Sequence, residues 1–239
     1  GNTGIGNGAL DASTTAANNT AVGFSAASLV STGTQNVAVG ALALDANTTA
    51  SNNIAVGYDA LGANTTGQNN VAVGKDALQS NTTANYNTAV GHEALEINTT
   101  GVSNVAIGAF ALDDNTTASD NTAIGYSALT ANTTGTLNTA VGRLAGQLLT
   151  TGNDNTFIGD RAGSQCTTNG QNTFIGGRAG SQVTGAQNTA LGFFANYGAS
   201  VGNYNTSAGY FALKTATSGN YNCAYGHKAL QFSTSGYEN

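Results

Sequence analysis

The chain has 239 residues and a strongly biased composition, with 33 glycines, no proline, methionine or tryptophan, and only 8% charged residues. Ordinary globular domains carry about 25% charged residues and about 5% proline, so this composition is typical of a simplified, repetitive sequence. The net charge of −6 argues against a protein that binds the phosphate backbone of nucleic acids. No apolar run approaches the roughly 18 residues that cross a bilayer, which argues against membrane insertion by this segment.

A short motif recurs along the whole chain. A β-branched run that ends in glycine returns every 17 residues, with one step of 16 between Gly176 and Gly192. Fourteen coils carry asparagine four residues before this glycine and alanine three residues after it. The shortened step indicates that the coil around Val183, Thr184 and Gly185 has lost a residue. The marker glycines define position 0 of each coil and are Gly6, Gly23, Gly40, Gly57, Gly74, Gly91, Gly108, Gly125, Gly142, Gly159, Gly176, Gly192, Gly209 and Gly226.

Each coil is predicted to contain one short strand and two turns. Positions −3 to −1 read Thr-Ala-Val in the consensus, an alternating β-branched run that favours a strand. Glycine at position 0 and glycine or alanine at position +10 mark the turns. Such strands, stacked in register, form parallel ladders with about 4.8 Å between coils. The sequence therefore predicts an all-β fold, a repetitive β-solenoid of fourteen 17-residue coils that spans residues 1–239 as a single domain.

The regular coils occupy residues 1–149. Their asparagine at position −4 is expected to form a ladder, because a buried amide can donate to and accept from the same residue in adjacent coils. Alanine at positions −2 and +3 indicates a narrow coil interior. The central members of this predicted structural ladder are Asn36, Asn53, Asn70, Asn87, Asn104, Asn121 and Asn138.

Two further apolar columns have no evident place inside so narrow a coil. Valine or isoleucine stands at position −1, and leucine at position +4, as in Leu44 and Leu61. A continuous apolar stripe of this kind would be a large exposed patch on a single chain. We expect several copies to bury both columns against one another, most simply as a parallel homotrimer.

An Asn-x-Thr segment follows the apolar residues in six regular coils. Asparagine and threonine bond to their own backbone at such corners, whereas in secreted proteins the same pattern is an N-glycosylation signal. Turn chemistry is the simpler interpretation. The six residues are Asn47, Asn64, Asn81, Asn98, Asn115 and Asn132.

Position +2 gathers charged residues. Asp59, Asp76 and Glu93 form an acidic column in successive coils, and Arg161 with Arg178 forms a basic pair in the same column. The acidic column is interpreted as a solvated face, with a Ca²⁺ site as the alternative.

Histidine and cysteine are too sparse to suggest chemistry. His92 and His227 stand alone at position +1, without partners at metal or catalytic-triad spacing. Cys166 and Cys223 occupy different coil positions four coils apart, and a bridge needs Cα atoms within about 7 Å. Free thiols are expected, with an interchain bond through Cys166 as the alternative. The sequence thus predicts no catalytic, metal or cofactor-binding residues, and no enzyme.

Residues 150–239 form divergent coils that are rich in aromatic side chains. Twelve of the seventeen phenylalanines and tyrosines lie from Phe157 onward, and leucine at position +4 gives way to Gly163, Gly180 or Asn196. Large rings at outward positions are typical of recognition surfaces, and the alternative is that they fill a widening trimer core. The predicted binding residues for a partner or glycan, at positions +1 and +2, are Phe193, Phe194, Tyr210 and Phe211.

The consensus Asn-Thr-Ala-Val-Gly-x-x-Ala-Leu resembles the coils of trimeric autotransporter adhesin heads of the YadA type. In those heads an Asn-Ser-Val-Ala-Ile-Gly motif marks each turn of a left-handed β-roll. The 17-residue form with Asn-Thr-Thr-Gly is similar to the shafts of phage tail fibres. The resemblance covers the whole chain and implies a left-handed, trimeric β-roll, located on a virion tail fibre or at an extracellular or cell-surface site.

The resemblance implies a structural fibre shaft of a phage or phage-like tail fibre that takes part in host-surface attachment. Its expected partners are further copies of itself and a host cell-surface receptor or glycan, with no nucleic acid and no cofactor. The alternatives are a bacterial trimeric adhesin head and a subunit of a self-assembling extracellular filament. Because the chain lacks methionine and Asn239 would open a fifteenth coil, we expect a fragment of a longer protein.

Overall fold

The computed structural model shows an all-β protein, a parallel β-solenoid of about fourteen turns of about 17 residues. The structure describes residues 1–198, 202–215, 218–233 and 236, and Asn239, the expected start of a fifteenth coil, lies outside them. These described residues contain no helix. The fold class predicted from the repeat, an all-β solenoid, is therefore confirmed.

The chain forms two compact units, Gly1–Asp120 and Asn121–Asn239. Within each unit, seven three-residue strands follow one another in chain order in a parallel sheet. The change near residue 150, from regular to aromatic-rich coils, falls inside the second unit. The first unit contains β1 (Thr3–Ile5), β2 (Thr20–Val22), β3 (Val37–Val39), β4 (Ile54–Val56), β5 (Val71–Val73), β6 (Thr88–Val90) and β7 (Val105–Ile107). The second contains β8 (Thr122–Ile124), β9 (Thr139–Val141), β10 (Thr156–Ile158), β11 (Thr173–Ile175), β12 (Thr189–Leu191), β13 (Thr206–Ala208) and β14 (Cys223–Tyr225).

The strands pair so that equal positions of successive coils lie side by side. Thr173 of β11 lies opposite Thr189 of β12, a step of 16 residues, whereas the neighbouring strands pair at steps of 17. The missing residue is where the sequence predicts it. Asn172 reaches the carbonyl of Gly185, thirteen residues on, while the equivalent bond of Asn70 spans fourteen.

Backbone hydrogen bonds connect the coils outside the strands as well. In the coil of Gly57, the N–H of Asp59 donates to the carbonyl of Ala41 in the preceding coil at 3.0 Å. The N–H of Leu61 donates to the carbonyl of Ala77 in the following coil, also at 3.0 Å. Buried backbone polar groups must find partners. In this fold the turns find theirs in the adjacent coil, as the strands do.

Position 0 is occupied by glycine because the coils approach each other closely there. Gly57 has a φ of +144°, and a Cβ at this position would collide with the carbonyl oxygen of Gly74 in the next coil. Any other residue would force the two coils apart.

Leucine at position +4 is buried inside a single chain, so the expectation that this column needs another copy is wrong. Leu61 has a φ of +52° and Asp59, two residues earlier, a φ of +54°, and this left-handed turn brings the leucine into the interior. Each left-handed residue costs about 1–2 kcal/mol. The two left-handed residues thus cost about 2–4 kcal/mol per coil, and burial of the leucine side chain, which contributes about 1.5–3 kcal/mol, offsets most of that cost. The fully buried members of this column are Leu44, Leu61, Leu78, Leu95, Leu112, Leu129 and Leu213.

Position −1 carries the apolar residues that do remain outside, and we call this column the outward stripe. Alanine at position −2 is buried, as in Ala72 and Ala89, so its neighbours on the strand point the other way. In the second unit, isoleucine or leucine of the outward stripe keeps 37–40% of its surface exposed, at Ile124, Ile158, Ile175 and Leu191. One of the two columns behind the oligomer expectation is therefore exposed on a single chain.

The asparagines at position −4 are buried and tie neighbouring coils together. The Oδ1 atom of Asn70 accepts the backbone N–H of Asn87 at 2.9 Å, and its Nδ2 donates to the carbonyl of Ala84 at 2.8 Å. Direct amide contacts, such as Asn36 Nδ2 to Asn19 Oδ1 at 3.1 Å, accompany these bonds in some coils. The ladder thus depends mainly on side-chain bonds to the backbone. The buried members named from the sequence are Asn36, Asn53, Asn70, Asn87, Asn104, Asn121 and Asn138.

A second asparagine ladder runs at position +7, where the Asn-x-Thr segments lie. Asn81 Nδ2 donates to Asn64 Oδ1 at 2.9 Å and to the carbonyl of Ala84 at 3.2 Å. This nitrogen is the atom that a glycan would modify, and it is buried. The folded coil therefore supports the turn interpretation and does not accommodate the glycan. The buried members are Asn47, Asn64, Asn81, Asn98, Asn115 and Asn132.

Candidate binding surface

The four rings predicted to bind a partner lie together on the second unit. Phe193 and Phe194 contact each other edge to face, with centroids 4.4 Å apart, and Tyr210 and Phe211 lie 4.1 Å apart. Across the two coils, Phe193 stacks on Tyr210 at 6.1 Å and Phe194 lies 5.2 Å from Phe211. We call these four residues the aromatic cluster. They meet because equal positions of successive coils are neighbours in this fold.

The cluster presents its position +1 rings to solvent. Phe193 is 49% exposed and Tyr210 is 44% exposed, while Phe194 and Phe211 at position +2 are half-buried. His227, in the following coil, stacks on Tyr210 with centroids 5.5 Å apart. Stacked rings of this kind contribute about 0.5–1.5 kcal/mol beyond the area they bury. The result is an exposed column of stacked rings, in which Tyr210 lies between Phe193 and the imidazole of His227.

Three side chains that the sequence analysis did not place at this surface extend it. Tyr197 lies edge to face against Phe194 at 4.6 Å, and the guanidinium carbon of Arg178 lies 5.5 Å from the same ring. Lys214 Nζ is 4.2 Å from the centre of the Phe211 ring. Cations placed over aromatic faces are attracted by the negative potential of the ring. The cluster is thus flanked by two positive charges.

Part of the aromatic enrichment is internal. Phe157 and Phe174 occupy position −2, are fully buried, and have ring centroids 5.5 Å apart. A Cβ on Gly163, at position +4, would lie 2.6 Å from the Phe157 ring. The loss of leucine at Gly163 and Gly180 therefore makes room for a larger ring inside the coil. At these two coils the change at position +4 therefore serves the interior and not the outer surface.

The third departure at position +4, Asn196, is buried as well. Neither of its side-chain polar atoms has a hydrogen-bond partner within the part of the chain that the structure describes. Its φ is +45°, in the left-handed region that asparagine tolerates better than most residues.

Positions +2 and +5 of the first unit form an acidic face. Lys75 Nζ pairs closely with Asp76, and Gln79 donates to Asp59 at 2.5 Å. Glu93, Glu96 and Asp113 each offer a carboxylate oxygen, and these atoms lie within 4.8 Å of one another. Oxygen ligands of this kind suit Ca²⁺. Among the described residues these three could hold a cation, and Glu93 alone is shared with the column named from the sequence.

Two carboxyl groups of the acidic face, those of Asp113 and Glu96, have raised pKa values. The pKa of Asp113 is raised to about 6, mainly by partial burial and then by the negative charge of the neighbouring Glu96. The pKa of Glu96 is raised in turn, first by burial and then by Glu93. The charged forms of these carboxylates are therefore disfavoured by crowding in the folded chain.

The two cysteines lie in different environments. Cys166 is a free, buried thiol at position +7 that donates to the carbonyl of Val183 at 3.2 Å, and burial raises its pKa to about 12. Cys223 is free and exposed at position −3. Because the Cys166 thiol faces the coil interior, an interchain bond through it does not fit this fold.

Comparisons of the chain with protein-family models, with characterised proteins and with solved structures find no match. Among the described residues, no helix has the length and apolar character that a membrane crossing requires.

Proposed function

We propose that this chain is a structural, non-catalytic shaft segment of an extracellular attachment fibre, as in phage or phage-like tail fibres. The observation that carries the proposal is the aromatic cluster. Its exposed rings stack on one another across successive coils, and cationic side chains lie over the two half-buried rings beside them. The host-surface partner is a receptor or a glycan, because exposed aromatic side chains are enriched at recognition surfaces.

The proposal includes assembly into a parallel homotrimer of left-handed β-rolls. It is supported by the outward stripe, which keeps large apolar side chains partly exposed in four coils of the second unit, at Ile124, Ile158, Ile175 and Leu191. A regular apolar column is removed from water when the same column of other copies packs against it. In a symmetric assembly every rung of the column is then buried in the same way. The buried leucines at position +4 lend no support to the trimer.

Analytical ultracentrifugation at micromolar concentration is expected to give three times 23.7 kDa. Replacing Ile158 and Ile175 together by lysine should yield monomers with unchanged circular dichroism, because the charges would face each other at the trimer interface. The matched control places lysine at Thr134 and Thr151, which are exposed at a corner of the coil. A wild-type monomer, or a trimer that survives the isoleucine changes, would contradict the assembly.

The attachment role is tested by removing the two exposed rings. The Phe193→Ala/Tyr210→Ala protein is expected to bind at least tenfold more weakly than wild type to a panel of bacterial lipopolysaccharides, capsular polysaccharides and teichoic acids. The control removes two exposed rings of the first unit, Phe24 and Tyr58, and should leave binding unchanged. Surface plasmon resonance is the measurement. The role is excluded if wild type binds no member of the panel, or if the cluster variant binds as wild type does.

A further inference from the structure

A groove of about 360 Å³ lies on the second unit, along positions +2 and +5 of four successive coils. It is lined by Arg161 and Arg178 at position +2, by Ser164 and Ser181 at position +5, and by Tyr197. Sites for small ligands typically measure about 300–1,000 Å³, so this concavity is large enough for one.

The two arginines bring uncompensated positive charge into the groove. Neither guanidinium has an ion pair or a hydrogen bond among the residues that the structure describes. Asp160, the acidic residue next to Arg161 in the chain, pairs with Arg143 at 2.9 Å instead. Successive rungs of a parallel stack lie about 4.8 Å apart, so the two arginines branch from neighbouring rungs. An anion bound to both would offset two positive charges at once.

The serines add hydrogen-bond donors to the same groove. Ser164 Oγ and Ser181 Oγ lie 2.9 Å apart, and both residues are more than nine-tenths buried. One hydroxyl donates to the other, which leaves a second O–H proton. That proton has no acceptor in the described part of the chain. The groove is thus rich in donors and has no carboxylate on its walls.

We propose that this groove binds the carboxylate of an acidic saccharide. The planar guanidiniums of Arg161 and Arg178 match a carboxylate through paired N–H donors, and the free serine hydroxyl proton supplies a further bond. The sugar ring lies against Tyr197, which joins the groove to Phe194 of the aromatic cluster at 4.6 Å. That the saccharide comes from a host surface rests on the proposed attachment function. That the groove binds a saccharide carboxylate does not.

A saccharide fits the groove better than a second copy of the chain. The carboxylates of this protein's acidic face lie in the same two columns of the first unit, but they are partly buried in their own coils. Asp76 is 93% buried, as its 7% exposure shows, and burial is the main cause of the raised pKa of Asp113. Such short, recessed side chains do not reach into a concave site on another copy.

Isothermal titration with oligogalacturonate tests the assignment, with the methyl-esterified oligomer as the uncharged ligand. Wild type is expected to bind the acid form and not the ester. The Arg161→Gln/Arg178→Gln protein should bind the acid form at least tenfold more weakly. The matched control, Arg143→Gln/Lys228→Gln, removes the same charge outside the groove and should change the affinity less than twofold. A dextran sulfate oligosaccharide, which carries sulfate groups and no carboxylate, separates carboxylate from sulfate recognition.

Absence of wild-type binding to oligogalacturonate, or equal weakening by the control, would overturn the proposal. Binding of the sulfated probe alone would overturn the carboxylate assignment, and self-association abolished by the groove variant would point to a second copy instead. The attachment function fails separately. If wild type binds no cell-surface polysaccharide of the panel yet binds oligogalacturonate through the two arginines, the groove assignment holds and the attachment function does not.

Discussion

Asn70→Val is expected to destabilise the protein by about 3 kcal/mol or more, whereas Asn81→Val should cost less than half as much. Both asparagines are buried, and both donate to the carbonyl of Ala84. They differ in what their oxygen accepts. Asn70 Oδ1 accepts the backbone N–H of Asn87, which the valine would leave without a partner inside the protein.

Asn81 Oδ1 accepts only from another side chain, Asn98, whose Nδ2 also donates to the carbonyl of Gly101 at 3.0 Å. Position +7 already carries valine at Val30 and Val183, while position −4 is asparagine in every coil. Urea unfolding followed by circular dichroism measures both variants, with Thr83→Ala at an exposed corner as the control. Equal losses for the two asparagines would show that the backbone bond is not what the ladder contributes.

Phe157→Ala is expected to cost about 3–5 kcal/mol, because it empties the interior of its coil. Gly163→Leu alone should also destabilise strongly, since even a Cβ there would lie 2.6 Å from the Phe157 ring and the larger side chain overpacks the same space. The double variant restores the combination found in the regular coils, alanine at position −2 and leucine at position +4. It is expected to be more stable than either single variant.

Thermal unfolding of the four proteins gives the coupling energy between the two positions, which should be large and favourable. Gly163→Ala/Phe157→Ala serves as a control, because it removes the ring without filling the space. If Gly163→Leu does not restore stability to the Phe157→Ala protein, then the leucine does not fill the space that the phenylalanine ring leaves. The glycine would then be required for its backbone, whose φ is +58°.

The period, the strands and their pairing could be predicted from the sequence because stacking places equal positions next to each other. The same rule places Phe193, Phe194, Tyr210 and Phe211 next to one another, because they stand at positions +1 and +2 of two successive coils. Two asparagines converging on one carbonyl, as at Ala84, could not be predicted from the repeat. That convergence depends on how far the chain turns between positions −4 and +10.

The sequence does not predict that leucine at position +4 lies inside, because the pattern of apolar residues does not carry the sign of φ. A narrow, alanine-lined coil has no evident room for Leu61, whereas its left-handed φ of +52° brings the side chain into the interior. The same turn brings positions +2 and +5 to one groove, which is why Tyr197 and Ser164 were missed. The basic pair of Arg161 and Arg178 in one column was the available signal, and the unpaired charge became evident only with their surroundings.

The near-identity of the bonds between successive coils has a consequence for folding. A regular coil that docks one rung out of step on another would form almost the same backbone bonds and bury the same alanines and leucines, so such errors are poorly discriminated. Phe157 breaks this degeneracy, because its ring requires glycine on both sides, at Gly146 and Gly163. Docked against a leucine-bearing coil, it would clash. The Phe157 ring thus fixes the alignment of the coils next to it, because only coils with glycine at position +4 leave room for it.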